Sequence, residues 1–573
     1  MKNIFILLTI YFISIGTIAQ AKITEEVKEN IQARVKAGEN VGVVIAFIED
    51  ESVDYYSYGT IDLRHNIPVD KQSIFEIGSI SKVFTCTMLA DEVLKGSMKL
   101  SDPISKYLPE GVTAPKINGR VITLQDLATH TSGLPRMPDN FNPADPSNPY
   151  IDYTPKLMYE FLSNHELIRD IGSEYEYSNF GMGLLGHILE LHTGKSYEDL
   201  LIEKITSVCN MPNTRLVLTD YMKEHLAKPH SQGVEVSNWD LTGLAGAGGI
   251  RSNTEDMVNF IKANMGVTKL NIYEAMVLSQ KVVYEKENDQ FKMGLGWHYA
   301  QNGDDTIIWH NGATGGYKSF TGFVKGTSKG VVVLANSDGD IGRLGMKLLG
   351  DPRPLEVPKP SIATVVNKEI NENGIESGIA LYNQLKNEMF ERYKFDETQL
   401  NILGYKYLGE EKNDIALQLF KLNVASFPNA SNPYDSLGEA YLKQGDSALA
   451  ITNYTKSLEL NPANDNAKET LVKLGVKISD VLPDIIVDEA VLDTYLGKYE
   501  LAPDFIITVT RVGSQLLAQA TGQPQFELFP SAINKFYLKV IDAQVAFNMN
   551  SKGGIDSLTL FQNGGELPGK KIE

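Results

Sequence analysis

Phe75-Glu76-Ile77-Gly78-Ser79-Ile80-Ser81-Lys82 is the stretch on which the reading of this chain turns. Ser79 and Lys82 stand three residues apart, directly before the apolar run Val83, Phe84, Met88 and Leu89. If that run is helical, side chains at i and i+3 share a face, so a hydroxyl and an amine can meet. A serine hydroxyl is a poor nucleophile near neutrality and needs an adjacent base, which a desolvated lysine can supply. The spacing alone is that of an ordinary helix surface. Its meaning depends on what the rest of the chain brings to it.

Around this stretch the chain is long and acidic. Its 573 residues exceed a single core and predict two to four domains. With 42% hydrophobic and 22% charged residues the composition is that of a soluble globular protein. A net charge of -19 argues against nucleic acid and anionic membrane surfaces as partners. Residues 1–21 carry Lys2, an apolar run from Ile4 to Ile15, then Ala19-Gln20-Ala21. That layout predicts a cleaved signal peptide, cut after Ala19 or Ala21, and a periplasmic or secreted protein without stable membrane insertion. Cys86 and Cys209 sit among apolar neighbours. An oxidising compartment permits one disulfide, but two buried free thiols is the favoured reading in so large a protein.

Residues 23–37 have helical spacing, and Val41–Ile48 with Val53–Tyr58 form a predicted antiparallel hairpin. Thr123 and Asp126 form a capping box before a short helix ending at His130, which is expected to serve as a structural hydrogen-bonder. Residues 134–156, rich in Pro, Asn and Asp, form a long loop that could be one wall of a cleft or a solvated excursion. Helices are expected over 180–204 and from Thr254 to Ala263. Strands follow at Met293–Ala300, Thr306–His310, Ser319–Val324 and Val331–Asn336. Strands at both ends and helices between them predict an α+β domain: one antiparallel sheet built from the two ends, with a helical insert.

Asp351–Pro360 contains four prolines and is expected to be a linker. Within 361–480, Leu403-Gly404, Tyr407, Ala416, Phe420 and Pro428 recur 34 residues later as Leu437-Gly438, Tyr441, Ala450, Tyr454 and Pro462. This is the tetratricopeptide (TPR) pattern of paired helices, serving as a spacer or as a groove for a protein partner. From 485 to 573, short alternating runs predict a small all-β domain, a lipocalin-like barrel.

Three further groups complete a candidate site: Tyr177-Ser178-Asn179, Gly294-Leu295-Gly296-Trp297, and His310-Asn311-Gly312-Ala313. Ser79-x-x-Lys82, Tyr177-x-Asn179 and His310-x-Gly312, in this order, resemble the class C β-lactamase and penicillin-binding-protein superfamily of serine hydrolases. The resemblance spans about Ile23 to Leu349, within an expected domain of residues 22–350. It implies that Ser79 is acylated and that Lys82 and Tyr177 carry the proton, the lysine cation stabilising a phenolate. It implies that Asn179, His310, Gly312 and Ala313 bind substrate, the N–H groups of Ser79 and Ala313 forming an oxyanion hole. One such donor is worth roughly 3 kcal/mol. No cofactor and no metal are expected.

One departure narrows the activity. β-Lactamases and many DD-peptidases carry lysine where this chain has His310. A histidine of ordinary pKa is about nine-tenths neutral one pH unit above it. A lysine there could contribute up to ~4 kcal/mol toward a substrate carboxylate at contact distance. Gly326-Thr327-Ser328-Lys329-Gly330 also spells a Gly-x-Ser-x-Gly elbow, but that motif needs a strand-to-helix turn and here it joins two strands. The expectation is therefore a secreted serine hydrolase of peptide, amide or ester substrates, small or cell-wall-derived. A true β-lactamase or DD-carboxypeptidase is the alternative. A non-catalytic TPR interaction protein is the alternative of another class.

Overall fold

The computed structural model describes residues 22–231, 233–286, 291–482, 485–502, 505–521, 523, 525–550, 553–562 and 565–572. The expected signal peptide, residues 1–21, lies outside the described residues. The chain divides into two units, residues 1–358 and 359–573.

The first unit is α+β. Its sheet is built from the strands β1 (Gly42–Glu49), β2 (Ser52–Asp62), β3 (His298–Asn302), β4 (Asp305–Ala313), β5 (Lys318–Val324) and β6 (Lys329–Ala335). They lie in the order β3-β4-β5-β6-β1-β2, extended at the edges by Tyr284–Glu285 and Lys292–Met293 beside β3 and by Ile67–Pro68 beside β2. β1 pairs antiparallel with β6, from Val43 opposite Ala335 to Glu49 opposite Lys329. The two ends of the unit therefore meet at the middle of one sheet, as the distribution of strands predicts.

β1 is an unbroken apolar run because both of its faces are covered. Val43, Ile45 and Phe47 pack with Val27 and Ile31 of helix α1 (Glu25–Ala37) and with Ile23 just before it, whereas Val44, Ala46 and Ile48 face the helical insert. The central helix of the insert, α2 (Ser81–Leu94), is buried along nearly its whole length. Its Phe84 stacks on Phe260 of the helix Thr254–Met265, with ring centroids 4.0 Å apart and planes 11° from parallel.

Several local expectations shift. The strand expected over 293–300 is broken, because Gly294–Trp297 turns against α2. At Gly296, φ is +73°, and a Cβ would stand 3.1 Å from the Lys82 carbonyl oxygen. The helix expected over 180–204 ends at Thr193, where the left-handed Gly194 caps α3 (Asn179–Thr193); Ser196 then starts a new turn. Thr123 and Asp126 form the expected capping box. Cys86 and Cys209 are buried free thiols. Gly326–Gly330 lies at the tight turn joining β5 and β6, which is not a nucleophile elbow.

The second unit begins with consecutive helices from Ile362 to Lys473. Gly404 faces the Phe420 ring and, one period later, Gly438 faces the Tyr454 ring; a Cβ would fall 2.5 Å and 2.9 Å from those rings. Each pair of helices packs closely because one offers no side chain where the other offers an aromatic face. Eight strands, from Gly497–Ala502 to Gly565–Lys571, then close into a barrel whose first strand pairs with its last. Tyr495, Tyr499, Phe536 and Phe547 fill its core.

The stacked rings join the helix that carries the candidate nucleophile to the rest of the first unit's core. Phe84→Ala should lower the stability of that unit by about 3–5 kcal/mol, read as a fall in the midpoint of its urea unfolding transition.

Candidate active site

Ser79 is held by backbone on both sides. Phe75-Glu76 pairs with Arg251-Ser252, and the Ile77 N–H donates to the Ile250 carbonyl at 3.0 Å. The chain then turns at Gly78, where φ is +51°, and enters α2. On the other side, Ser319 Oγ of β5 donates to the Ile77 carbonyl at 2.7 Å. A Cβ on Gly312 would lie 2.1 Å from that same carbonyl oxygen, and one on Gly78 would lie 2.8 Å from the Ala313 nitrogen. Glycine at both positions lets the turn carrying Ser79 press against the edge of β4, which brings Ser79 and Ala313 to one place.

Helical spacing then sets Lys82 beneath Ser79. Its Nζ lies 3.0 Å from Ser79 Oγ, 2.9 Å from Asn179 Oδ1 and 2.6 Å from the Ala247 carbonyl oxygen. The side chain is fully buried. Burial, reinforced by the Arg136 charge, holds the lysine well below its ordinary pKa. Tyr177 leans over the amine, which is 4.8 Å from its ring centroid. Burial pushes the phenol up to about 12, partly opposed by a hydrogen bond with Ser79. The free site thus favours a neutral amine beside a neutral phenol, whereas the family resemblance implies a lysine cation beside a phenolate.

Tyr177 and Asn179 are placed by the start of α3. Ser178 is its N-cap, accepting the Gly181 N–H at 2.8 Å and donating to the Pro135 carbonyl at 2.7 Å. His130 Nδ1 accepts the Ser178 N–H at 3.1 Å, and its ring lies 4.5 Å from that of Tyr177. His130 is therefore a positioning residue within the fold.

His310 is buried beneath the cleft. Its side chain is 0% exposed, and its Nδ1 lies 2.6 Å from the Asn311 carbonyl oxygen. A carbonyl can only accept, so Nδ1 carries a proton. Burial and the neighbouring His298 and Lys82 hold it well below its ordinary pKa. Residues alternate across a strand, so His310 shares the face of Ile308, which packs toward the helical insert; Asn311, the next residue of β4, lines the cleft. His310 sits beneath the cleft and not on its surface.

The cleft above Ser79 has a volume of about 420 Å³. Besides the expected Ser79, Tyr177, Asn179, Gly312 and Ala313, it is lined by Arg136, Tyr150, Trp239, His298 and Asn311. Arg136 and Tyr150 belong to the long loop 134–156, which is thus a wall of the cleft. Trp239 comes from a distant segment. Its N–H donates to Glu76 Oε1 at 3.0 Å, which ties this wall to the strand preceding Ser79. His298 stacks on His310 with centroids 4.9 Å apart, and burial brings it down to about 4. Its signal in the sequence was its place after Gly294-Leu295-Gly296-Trp297; Trp239 had no motif around it. Among the described residues no group of three or more His, Cys, Asp or Glu side chains could hold a metal ion.

Against known families, a model described as beta-lactamase matches residues 27–347, more than half of the chain. The chain belongs to the β-lactamase family. The β-lactamase of Escherichia coli K12 is 28% identical over 358 residues, covering 56% of this chain and 90% of that protein. The D-alanyl-D-alanine-carboxypeptidase/endopeptidase AmpH of the same organism is 28% identical over 339 residues, covering 55% and 87%. Among solved structures, a beta-lactamase/D-alanine carboxypeptidase from Yersinia pestis superimposes with a TM-score of 0.51 at 26% identity, covering 57% of this chain and 98% of the other. All three likenesses fall short of the C-terminal part of this family member. A second model, described as a domain of unknown function (DUF3471), matches residues 483–571 and so covers the barrel.

The environment of Lys82 has a consequence for stability. Between the depressed native pKa and the unfolded value of 10.5, the unfolded chain binds a proton that the native site does not. Stability from this group therefore rises with pH through that window. The midpoint of thermal unfolding of wild type relative to Lys82→Met should climb as pH rises from neutrality toward 10.5, read by differential scanning calorimetry.

Proposed function

We propose that this protein is a serine hydrolase that forms an acyl-enzyme on Ser79. The observation that carries the reading is the shell around Lys82. A neutral amine has two N–H donors and one lone pair. Asn179 Oδ1 and the Ala247 carbonyl can only accept, so they use both donors. The lone pair is then left toward the remaining neighbour, Ser79 Oγ, 3.0 Å away. This places a general base within reach of its nucleophile.

On attack, the Ser79 Oγ–carbonyl carbon bond forms and the Ser79 proton passes to Lys82. The developing oxyanion is held by the N–H groups of Ser79 and Ala313. As the intermediate collapses, the bond to the leaving group breaks, and the proton reaches that group through the Tyr177 hydroxyl. Tyr177 acts as a neutral relay, in keeping with its raised pKa. Water then attacks the acyl carbon with the same groups acting in reverse, releasing the acid and restoring the Ser79 hydroxyl. Asn179 holds Lys82 and the substrate amide. Gly312 keeps the strand edge open to the extended part of a substrate, and His310 packs beneath the cleft beside His298.

The favoured substrates are peptides, amides or esters, small or cell-wall-derived. Support comes from the peptidase named among the relatives and from the absence of a lysine at position 310. The Gly404/Phe420 and Gly438/Tyr454 pairs favour a TPR-like stack over 361–480, acting as a spacer or a peptide dock. Residues 1–21 favour export to the periplasm or beyond.

A fluorophosphonate probe should label the mature protein on one residue, located to Ser79 by peptide mass spectrometry. Ser79→Ala should show no adduct. Lys82→Ala should acylate roughly 10³-fold more slowly, the scale of losing a base that acts as a unit with its nucleophile. Wild type that resists every serine-reactive probe would leave the TPR-dock reading in its place. Efficient labelling by a fluorescent penicillin would favour the β-lactamase reading over the peptidase one.

A further inference from the structure

Arg136 is the charged group of the cleft that acyl transfer leaves unused. Its carbonyl accepts the N–H groups of Asn179 at 3.0 Å and Phe180 at 3.2 Å, so its backbone is fixed against the start of α3. Its side chain is exposed, and its guanidinium carbon stands 5.2 Å from the centroid of Tyr177, the ring that Lys82 also approaches. Among the described residues, no carboxylate pairs with Arg136 and no acceptor takes its side-chain N–H groups. No Asp or Glu is among the residues lining the cleft either.

An unpaired surface arginine is commonplace, but this one differs in three respects. The chain carries a net charge of -19, so carboxylates are plentiful, and among the described residues none is set against this guanidinium. The backbone and the Tyr177 ring together orient the group, which lowers the ordering cost of binding. Its five N–H donors form a rigid fork that matches a carboxylate in two parallel hydrogen bonds. On the opposite wall, β4 offers the cleft Asn311 and no cation, because His310 is turned inward.

We propose that Arg136 is the anion-recognition residue of this site and that the preferred acyl donors carry a carboxylate, which pairs with the Arg136 guanidinium. Anion recognition is thereby displaced from the strand to the loop 134–156. The proposal rests on Ser79 being the acylated residue, and its test reads the two separately.

The test uses a matched pair of chromogenic substrates: the para-nitrophenyl monoester of glutaric acid, with a free carboxylate, and the same ester with that carboxylate converted to a carboxamide. Wild type should prefer the carboxylate by roughly tenfold or more in kcat/KM, equivalent to about 1.4 kcal/mol. Added salt should shrink the preference. Arg136→Gln should abolish it, and Arg136→Lys should retain part of it. Fluorophosphonate labelling of Ser79 is followed in parallel. Labelled wild type that shows no preference overturns the anion proposal whatever the variants do, as does Arg136→Gln slowing both esters equally. Wild type that is not labelled overturns the acyl-Ser79 reading itself, and this proposal with it.

Discussion

Gly312 leaves no room for a side chain because the Ile77 carbonyl oxygen occupies the space where one would begin. That contact brings the last residues of β4 against the turn that carries Ser79, and the rest of the site is arranged around it. Ser319 of the next strand secures the same carbonyl, and Gly78 gives way to Ala313 from the other side. Two segments more than 230 residues apart thus share one rigid seam. The oxyanion-hole role proposed for the N–H groups of Ser79 and Ala313 needs donors that do not rearrange, and backbone fixed from both sides meets that need.

Electrostatics follows from the same burial. Lys82 is surrounded by oxygen acceptors, yet none of them is a carboxylate. Carbonyl dipoles can orient an amine without supplying the full charge needed to hold it protonated in a dry site. The neighbouring Arg136 adds like charge, and the imidazoles of His130, His298 and His310 remain neutral for the same reason. The buried groups are thus held in their neutral forms, while Arg136 stands at the cleft surface.

Much of this was legible in the sequence. Ser79 and Lys82 meet because three residues is nearly one helical turn, and strands at both ends of the region do close one sheet. Depth was harder to read. Alternation along β4 tells which residues share a face, but not that His310 is fully buried there beside His298. The charge states of Lys82 and Tyr177 depend on dielectric, which no local spacing encodes. Trp239, Tyr150 and His298 reach the cleft from three separate segments, and only the closed fold puts them together. Arg136 was named only as part of a loop, because a solitary arginine has no pattern to mark it.

The seam between β1 and β6 bears on how the first unit is made. Val43 finds its partner in Ala335, so the middle of the sheet is completed only by the last of that sheet's strands to be synthesised. Closing so long a loop carries an entropic cost that early local contacts do not recover, and topologies of this kind fold slowly. Until β6 arrives, β1 exposes apolar residues on both faces and an unpaired edge. The helices of the insert can form beforehand, but the ledge on which Ser79 meets Ala313 cannot. A site assembled across that seam comes into being only when the whole unit has folded, so a partly made chain holds Ser79 without the neighbours that surround it in the finished fold.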